Sequence, residues 1–146
     1  MNALIAYESR GGTTEAVALE IAAAVRGAGV DVTATPMRAV SPEQAAAADL
    51  LFVGTWVQGL FIARVGPAHA ATRWLEHLPP LNGKPVAIFC TYAFHPRGTL
   101  PAMRSLLESK GASVVAQQST KRNHPLRGVE AFAHTTIAAA REESPR

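Results

Sequence analysis

The sequence has one cysteine, few aromatic side chains and no long apolar run. With Cys90 alone, an intrachain disulfide and a zinc site built from several cysteines are excluded. No apolar stretch approaches the roughly 20 residues that cross a bilayer. Residues 1–7 lack the basic region and long apolar segment of a signal peptide. We therefore expect a cytoplasmic protein that has no metal site and binds no membrane.

Blocks of like charge are also missing. The chain carries 14 Lys and Arg against 11 Asp and Glu, which gives a net charge of +3. One small basic cluster, Lys121, Arg122 and Arg127, lies in a late loop. No helix-turn-helix or RNA-binding signature accompanies it, so no nucleic acid partner is expected. The 146 residues, 48% of them hydrophobic, suit one globular domain spanning residues 1–146.

Strand-like and helix-like segments alternate along the chain. Apolar or alternating segments at 3–7, 30–34, 50–53, 86–90 and 113–117 predict five strands. Helical patterns lie between and after them, including a helix opened by Ser41 as N-cap, one opened by Pro67 and a last one over 129–142. Five β-α units predict an α/β three-layer sandwich whose parallel sheet has the order 2-1-3-4-5. A ligand then binds beyond the carboxyl ends of the strands, where strands one and three meet.

The loop after the first strand, residues 9–15, is rich in hydroxyl groups and glycine. We call it the first loop. Gly11 and Gly12 let the backbone approach a ligand closely, and Ser9, Thr13 and Thr14 lie at or next to a helix N-terminus. Free N–H groups and the helix dipole there favour a phosphate, although a plain strand-to-helix turn also uses Gly and a Thr cap.

The second and third loops of the same edge carry aromatic residues. The second loop, residues 54–61, presents Trp56, which either offers a flat face to an aromatic ligand or packs in the core. Trp74, within a helical stripe, is expected to be a core residue. The third loop, residues 91–99, holds Tyr92, Phe94 and His95. His95 is either solvated or close to a redox group, and Cys90 before it is expected to be a buried apolar residue.

Motifs of other proteins with this alternation are absent. A receiver domain needs acidic residues after strands one and three, but strand three ends in Gly54-Thr55-Trp56. The phosphate-binding pattern G-x-x-x-x-G-K-[ST] and the dinucleotide pattern G-x-G-x-x-G are not present. These absences disfavour phosphoacceptor, nucleotide-hydrolysing and dinucleotide-binding functions.

Over nearly its whole length the chain resembles the flavodoxin-like proteins. Their first loop wraps the phosphate of flavin mononucleotide (FMN), and Ser9, Gly12 and Thr14 fit its pattern, whereas Gly11 and Thr13 replace the usual Thr and Asn. The resemblance implies a flavodoxin-like fold of the short type with bound FMN and with no catalytic side chain. It implies the following cofactor-binding residues: Ser9, Arg10, Gly11, Gly12, Thr13, Thr14, Thr55, Trp56, Val57, Gly59, Thr91, Tyr92, Ala93, Phe94, His95 and Gly98.

The basic charge departs from the acidic electron carriers of that family. The resemblance implies electron transfer to a redox partner protein. Its alternatives are an FMN-dependent reductase of quinones or other small molecules, usually oligomeric, and a degenerate domain without flavin. His95 and Arg97 stand where carriers have acidic residues. If these two side chains face the flavin rather than solvent, we expect a raised flavin potential and a partner with an acidic surface.

Overall fold

The structure, a computed structural model, describes residues 1–60 and 63–143. Six strands alternate with five helices in this part of the chain. The strands are β1 (Asn2–Glu8), β2 (Asp31–Pro36), β3 (Leu50–Leu60), β4 (Ala63–Pro67), β5 (Pro85–Tyr92) and β6 (Ser113–Lys121). The helices are α1 (Thr13–Gly27), α2 (Pro42–Ala47), α3 (His69–Glu76), α4 (Thr99–Ser109) and α5 (Val129–Glu143), and a 3-10 turn spans Met37–Ala39.

Five of the strands form a parallel sheet in the order β2-β1-β3-β5-β6. This is the predicted order 2-1-3-4-5 once β4 is set aside, so the predicted fold class is confirmed. In the register of the sheet, Glu8 of β1 lies opposite Thr55 of β3, and Trp56 of β3 lies opposite Thr91 of β5. The ends of these three central strands therefore bring the first and third loops to the same edge.

The third strand is longer than predicted, and the prediction of a loop from Gly54 is wrong. β3 continues to Leu60 and pairs antiparallel with β4, where Val57 lies opposite Pro67. Pro67 therefore ends a strand instead of opening α3, which begins at His69. The glycines and the proline indicate turns when they are considered locally, but pairing with a distant segment overrides that preference. Phe61 of the predicted second loop lies outside the described residues.

Helices cover both faces of the sheet, which gives the predicted three layers. On one face, Ile5, Phe52 and Phe89 pack against residues of α1 and α5 such as Ile21 and Ile137. The other face packs against α3 and α4 through a second cluster that includes Val53, Ile88, Leu75, Met103 and Leu107. Because the central strands are buried on both faces, they are apolar at nearly every position.

The α2 helix begins as its sequence predicts. The Ser41 hydroxyl accepts a hydrogen bond from the Gln44 N–H at 3.1 Å, and the Gln44 side chain accepts one from the Ser41 N–H at 2.9 Å. Pro42 occupies the first helical turn, where its missing N–H costs nothing. The capping box is therefore confirmed.

Gly54 allows a close approach in the middle of the sheet. A Cβ atom at this position would lie 2.0 Å from the ring of Phe89 on the neighbouring strand β5. Phe89 is fully buried and makes an edge contact with Phe132 of α5, with ring centroids 6.4 Å apart. Glycine is therefore required here because the Phe89 ring fills the space of a side chain.

Candidate functional site

A cleft of about 600 Å³ opens at the carboxyl edge of the sheet, at the place where the strand order predicts a ligand. Its volume lies within the range of roughly 300–1,000 Å³ that is typical of small-molecule sites. The described residues that line it come from the first loop, the end of β3, the end of β5 and the segment after β6. They are Arg10, Gly11, Thr13, Thr14, Trp56, Val57, Gln58, Thr91, Tyr92, Ala93 and Arg122.

Among the described residues, the first loop leaves two backbone N–H groups without an acceptor at residues that line the cleft. The Ser9 hydroxyl accepts hydrogen bonds from the N–H groups of Gly12 and Glu15, both at 3.2 Å, and so fixes the turn. Gly12 has a φ of 93°, a left-handed conformation that favours glycine. Within the described residues, the N–H groups of Thr13 and Thr14 have no acceptor. Two donors at the positive end of a 15-residue helix therefore remain available to an anion.

A hydrogen bond joins the first loop to the end of β5 beneath the cleft. The hydroxyl oxygens of Thr14 and Thr91 lie 2.7 Å apart, and both side chains are buried. A second tie joins β1 to the first turn of α1, because the Tyr7 hydroxyl donates to the Glu15 carboxylate at 2.8 Å. Burial raises the pKa of Tyr7, and the bond to Glu15 adds to the effect. Both bonds hold the start of α1 against the sheet.

Trp56 lies in β3 and not in a loop, yet it lines the cleft. Its side chain is half-buried, and its indole N–H points to the Glu8 carboxylate at 3.4 Å. The Arg10 guanidinium lies over the indole ring, with its carbon 5.2 Å from the ring centroid, at cation–π distance. Trp74 is half-buried against the core, and its indole N–H donates to the Val40 carbonyl at 3.1 Å, as its helical position predicts.

Several predicted residues do not belong to the described wall of the cleft. Ser9 and Gly12 shape the first loop through the Ser9 hydrogen bonds and the left-handed Gly12. Thr55 is fully buried, and its hydroxyl bonds to the Trp56 carbonyl and the Ala68 N–H. The side chain of His95 is exposed and accepts a hydrogen bond from the Arg97 N–H at 2.9 Å. Phe94 and Gly98 are also exposed. Gly59 lies at the register shift of β3, and its burial is outside what the structure describes.

The structure adds two residues that the sequence does not single out as ligands. Gln58 lines the cleft and also accepts a hydrogen bond from the His69 N–H at 2.8 Å, which links β3 to α3. Arg122 reaches the cleft from the segment after β6, where its N–H donates to the Tyr92 carbonyl at 2.7 Å. The basic pair at 121–122 is visible in the sequence. Its position beside the cleft could not be predicted, because it depends on β6 ending at Lys121 and not at residue 117.

The edge around the cleft is basic. Arg97, Lys121, Arg122 and Arg127 are exposed on the segments that follow β5 and β6. The ion pair found among the described residues joins Arg104 and Glu108 of α4, whose charged atoms lie 3.5 Å apart. None of the four exposed cations therefore has a carboxylate partner in the described part of the chain. Cys90 at the end of β5 is fully buried, and burial raises the pKa of Cys90 to about 12, which leaves an unreactive thiol.

The described ranges 1–60 and 63–143 contain neither a metal cluster nor a membrane-spanning helix. These residues contain no group of three or more His, Cys, Asp or Glu side chains placed to hold a metal ion. Their helices include none that is long and apolar enough to cross a membrane.

Comparison with known proteins gives one consistent answer. Residues 4–122 match the family described as "Flavodoxin domain". The flavodoxin of Megasphaera elsdenii is 30% identical over 111 residues, which cover 76% of this chain and 80% of that protein. The solution structure of the two-electron reduced flavodoxin of the same organism superposes with a TM-score of 0.81 at 28% identity, over 95% of this chain and 98% of that one. A flavodoxin from the domain Archaea shares the fold, with a TM-score of 0.76, 20% identity and coverage of 97% and 98%.

Proposed function

The chain belongs to the flavodoxin family and is an FMN-binding electron-transfer protein, and on this premise we propose that its cleft holds FMN with the phosphate on the first loop. The flavin ring then lies beside Trp56 and Tyr92. The single observation that carries this assignment is the pair of N–H groups at Thr13 and Thr14 that have no acceptor among the described residues. Both residues line a cleft of about 600 Å³ at the strand-order reversal of the sheet.

The phosphate end of the cleft fits an anion on three grounds. The N–H groups of Thr13 and Thr14 are available, and α1 adds the positive end of its dipole. The hydroxyls of Ser9 and Thr13 have protons to donate, since Ser9 only accepts within the loop. Thr14 shares its hydroxyl with Thr91, so its contribution comes mainly from its backbone. We therefore propose that Ser9 and Thr13 donate hydroxyl hydrogen bonds to the phosphate. The Thr14 side chain instead joins the first loop to β5.

The ring end of the cleft fits a flat aromatic group. The side chains of Trp56, Val57 and Tyr92 supply apolar surface, and Thr91 and Ala93 supply backbone at the start of the third loop. When bound, FMN supplies the uptake and release of electrons, while the protein supplies binding, orientation and electrostatics. The residues of this chain hold the ring, limit the access of water to it and leave one edge open to a partner protein.

The partner is a protein, as it is for flavodoxins in general, and we infer that its docking surface is acidic. The basic rim, which we define as Arg97, Lys121 and Arg127, is exposed on the segments at and after the ends of β5 and β6, and no carboxylate in the described part of the chain pairs with it. A positive rim attracts acidic surfaces and repels basic ones, and this effect is screened by salt. His95 and Arg97 lie outside the described wall of the cleft, so they act on the partner more than on the flavin.

We also propose that residues 1–146 work as one domain in the cytoplasm. Both core clusters pack on the same sheet, which supports a single cooperative unit. One unfolding transition that far-UV and tryptophan signals report alike supports the single domain, and two separate transitions contradict it. Cell fractionation that places the protein with the membranes contradicts the cytoplasmic location.

The test of the proposed function is electron transfer to one cytochrome in two forms, one with a basic surface and one with an acidic surface. Reduced holoprotein is mixed with a basic c-type cytochrome and with the same cytochrome after succinylation of its lysines, over a range of salt concentrations. We expect faster reduction of the acidic derivative and a rate that falls as salt rises. Arg127→Glu should slow this reaction severalfold. Arg141→Glu, which changes net charge equally but lies at the far end of α5, should not.

Two results contradict the proposal. Faster reduction of the basic cytochrome at low salt rules out an acidic partner surface. Rapid turnover of a quinone together with no reduction of either cytochrome favours the small-molecule reductase instead.

A further inference from the structure

We propose that Arg122 supplies the positive charge for the phosphate of FMN and thereby makes the cleft select FMN over unphosphorylated flavin. This inference rests on the proposed function, in which the phosphate occupies the first loop. It assigns a specificity-determining residue that comes from a different segment of the chain, the one after β6.

The backbone fixes where Arg122 starts. Its N–H donates to the carbonyl of Tyr92 at 2.7 Å, which pins the residue to the end of β5. Because β5 lies beside β3 and β3 beside β1, the residue stands at the edge that carries the first loop. This hydrogen bond depends on the backbone alone, so a substitution at residue 122 leaves it in place.

The side chain then crosses to the first loop. A Cβ atom on Gly11 would lie 3.4 Å from one terminal nitrogen of the Arg122 guanidinium, so the group already lies against the backbone of that loop. Arg122 lines the cleft together with Thr13 and Thr14, whose N–H groups lack an acceptor in the described part of the chain. A guanidinium and two residues with available backbone donors thus line the same cleft.

The charges nearby leave Arg122 available for an anion. Among the described residues, the Arg122 guanidinium has no carboxylate within 4 Å and donates no hydrogen bond. The other cation of the cleft, Arg10, lies over the ring of Trp56. Glu8 and Glu15, the acids nearest the first loop, are bonded to Trp56 and Tyr7. Guanidinium matches a phosphate with two parallel hydrogen bonds, which makes Arg122 the fitting partner for a phosphate dianion.

The test compares two flavins that differ only in the phosphate. Dissociation constants of FMN and riboflavin are measured for wild-type apoprotein, Arg122→Gln, Arg122→Lys and the distant control Arg141→Gln, by quenching of flavin fluorescence. Arg122→Gln should weaken FMN binding roughly 10- to 100-fold, as expected for a lost charge-assisted hydrogen bond. Riboflavin binding should stay within about twofold, Arg122→Lys should recover part of the loss, and Arg141→Gln should match wild type.

A second measurement does not depend on affinity. The ³¹P signal of bound FMN is followed as pH is lowered through the second phosphate ionisation, which is near pH 6 in free phosphate monoesters. A cation beside the phosphate favours the dianion, so this ionisation should occur at higher pH in Arg122→Gln than in wild type.

The outcomes separate the inference from the proposed function. If wild type prefers FMN strongly and Arg122→Gln keeps the same preference, the phosphate occupies its loop but Arg122 is not its partner. Equal loss of FMN and riboflavin means that Arg122 contacts the ring, which also overturns the inference. If wild type binds both flavins equally, the phosphate site itself is wrong, and the role of Arg122 is refuted with it.

Discussion

The hydroxyl oxygens of Thr14 and Thr91 lie 2.7 Å apart beneath the cleft and join two segments that are 77 residues apart in the chain. Thr14 is 1% and Thr91 is 4% exposed, so each hydroxyl has little access to water when the other is removed. This contact ties the start of α1 to the end of β5, and both segments line the cleft.

We expect Thr14→Val and Thr91→Val each to lower the free energy of unfolding by about 1–3 kcal/mol, because each leaves one buried hydroxyl without a partner. The double variant should lose clearly less than the sum, since both hydroxyls are then absent. Urea unfolding of the four proteins measures this coupling. Thr136→Val removes another buried hydroxyl, which is bonded inside α5 to the Phe132 carbonyl, and serves as the control. Strictly additive losses would mean that the two residues do not interact.

Gly54→Ala tests the close approach in the sheet. The added methyl group would lie 2.0 Å from the ring of Phe89, which is fully buried and has little room to move. We expect a loss of stability of roughly 1–3 kcal/mol or more, because β3 and β5 must separate. Gly27→Ala is the matched control, since nothing lies within 4 Å of its added methyl group at the end of α1. Similar melting temperatures of the two variants would contradict the packing described here.

Cys90 makes stability depend on pH above about 9. Burial raises the pKa of Cys90 from 9.0 to about 12, so the folded protein keeps a proton that the unfolded chain releases. The contribution is fully present below pH 9 and is lost as pH rises toward 12, at up to about 1.4 kcal/mol per pH unit. Stability of wild type should therefore fall more steeply than that of Cys90→Ala over this range. The raised pKa of Tyr7 acts in the same direction in both proteins, so their difference isolates Cys90. Parallel curves would place the thiol in contact with water.

Trp56 should report the bound flavin. It lines the cleft, whereas Trp74 is packed on the core side with its indole N–H bonded to Val40. We expect FMN to quench the tryptophan fluorescence of Trp74→Phe strongly and that of Trp56→Phe only weakly. The measurement is a titration of each apoprotein variant at equal concentration. Equal quenching in both variants would remove Trp56 from the flavin site.

Local sequence patterns predicted the parallel sheet and most of the cleft, because both depend on short-range rules. The run 50–53 is apolar at every position since the strand is buried on both faces, and Ser41 with Gln44 forms the expected capping box. Strand order then brings Thr13, Trp56 and Tyr92 to one edge from segments far apart in sequence.

The errors arise where pairing between distant segments decides the structure. Gly54 and Gly59 indicated a loop, yet β3 continues through them because β5 pairs with it as far as Trp56 and β4 pairs with it from Val57 to Leu60. Arg122 was visible as a charged residue only. Its place in the cleft depends on the length of β6 and on the hydrogen bond to Tyr92, and neither has a local signature. Thr55 stays a predicted cofactor-binding residue, and the bond that its buried hydroxyl accepts from the Ala68 N–H has no local signature either.

The most direct test of the account is calorimetric titration of FMN into wild-type apoprotein and into Thr13→Glu. Glutamate at the first position of α1 suits the helix dipole, so the variant should unfold at or above the wild-type temperature. Its carboxylate would occupy the anion position and repel the phosphate. We expect wild type to bind one FMN per chain and the variant to bind at least about 100-fold more weakly, which corresponds to roughly 2.7 kcal/mol. No saturable binding by wild type, or equal affinity in the two proteins, would contradict an FMN site at the first loop.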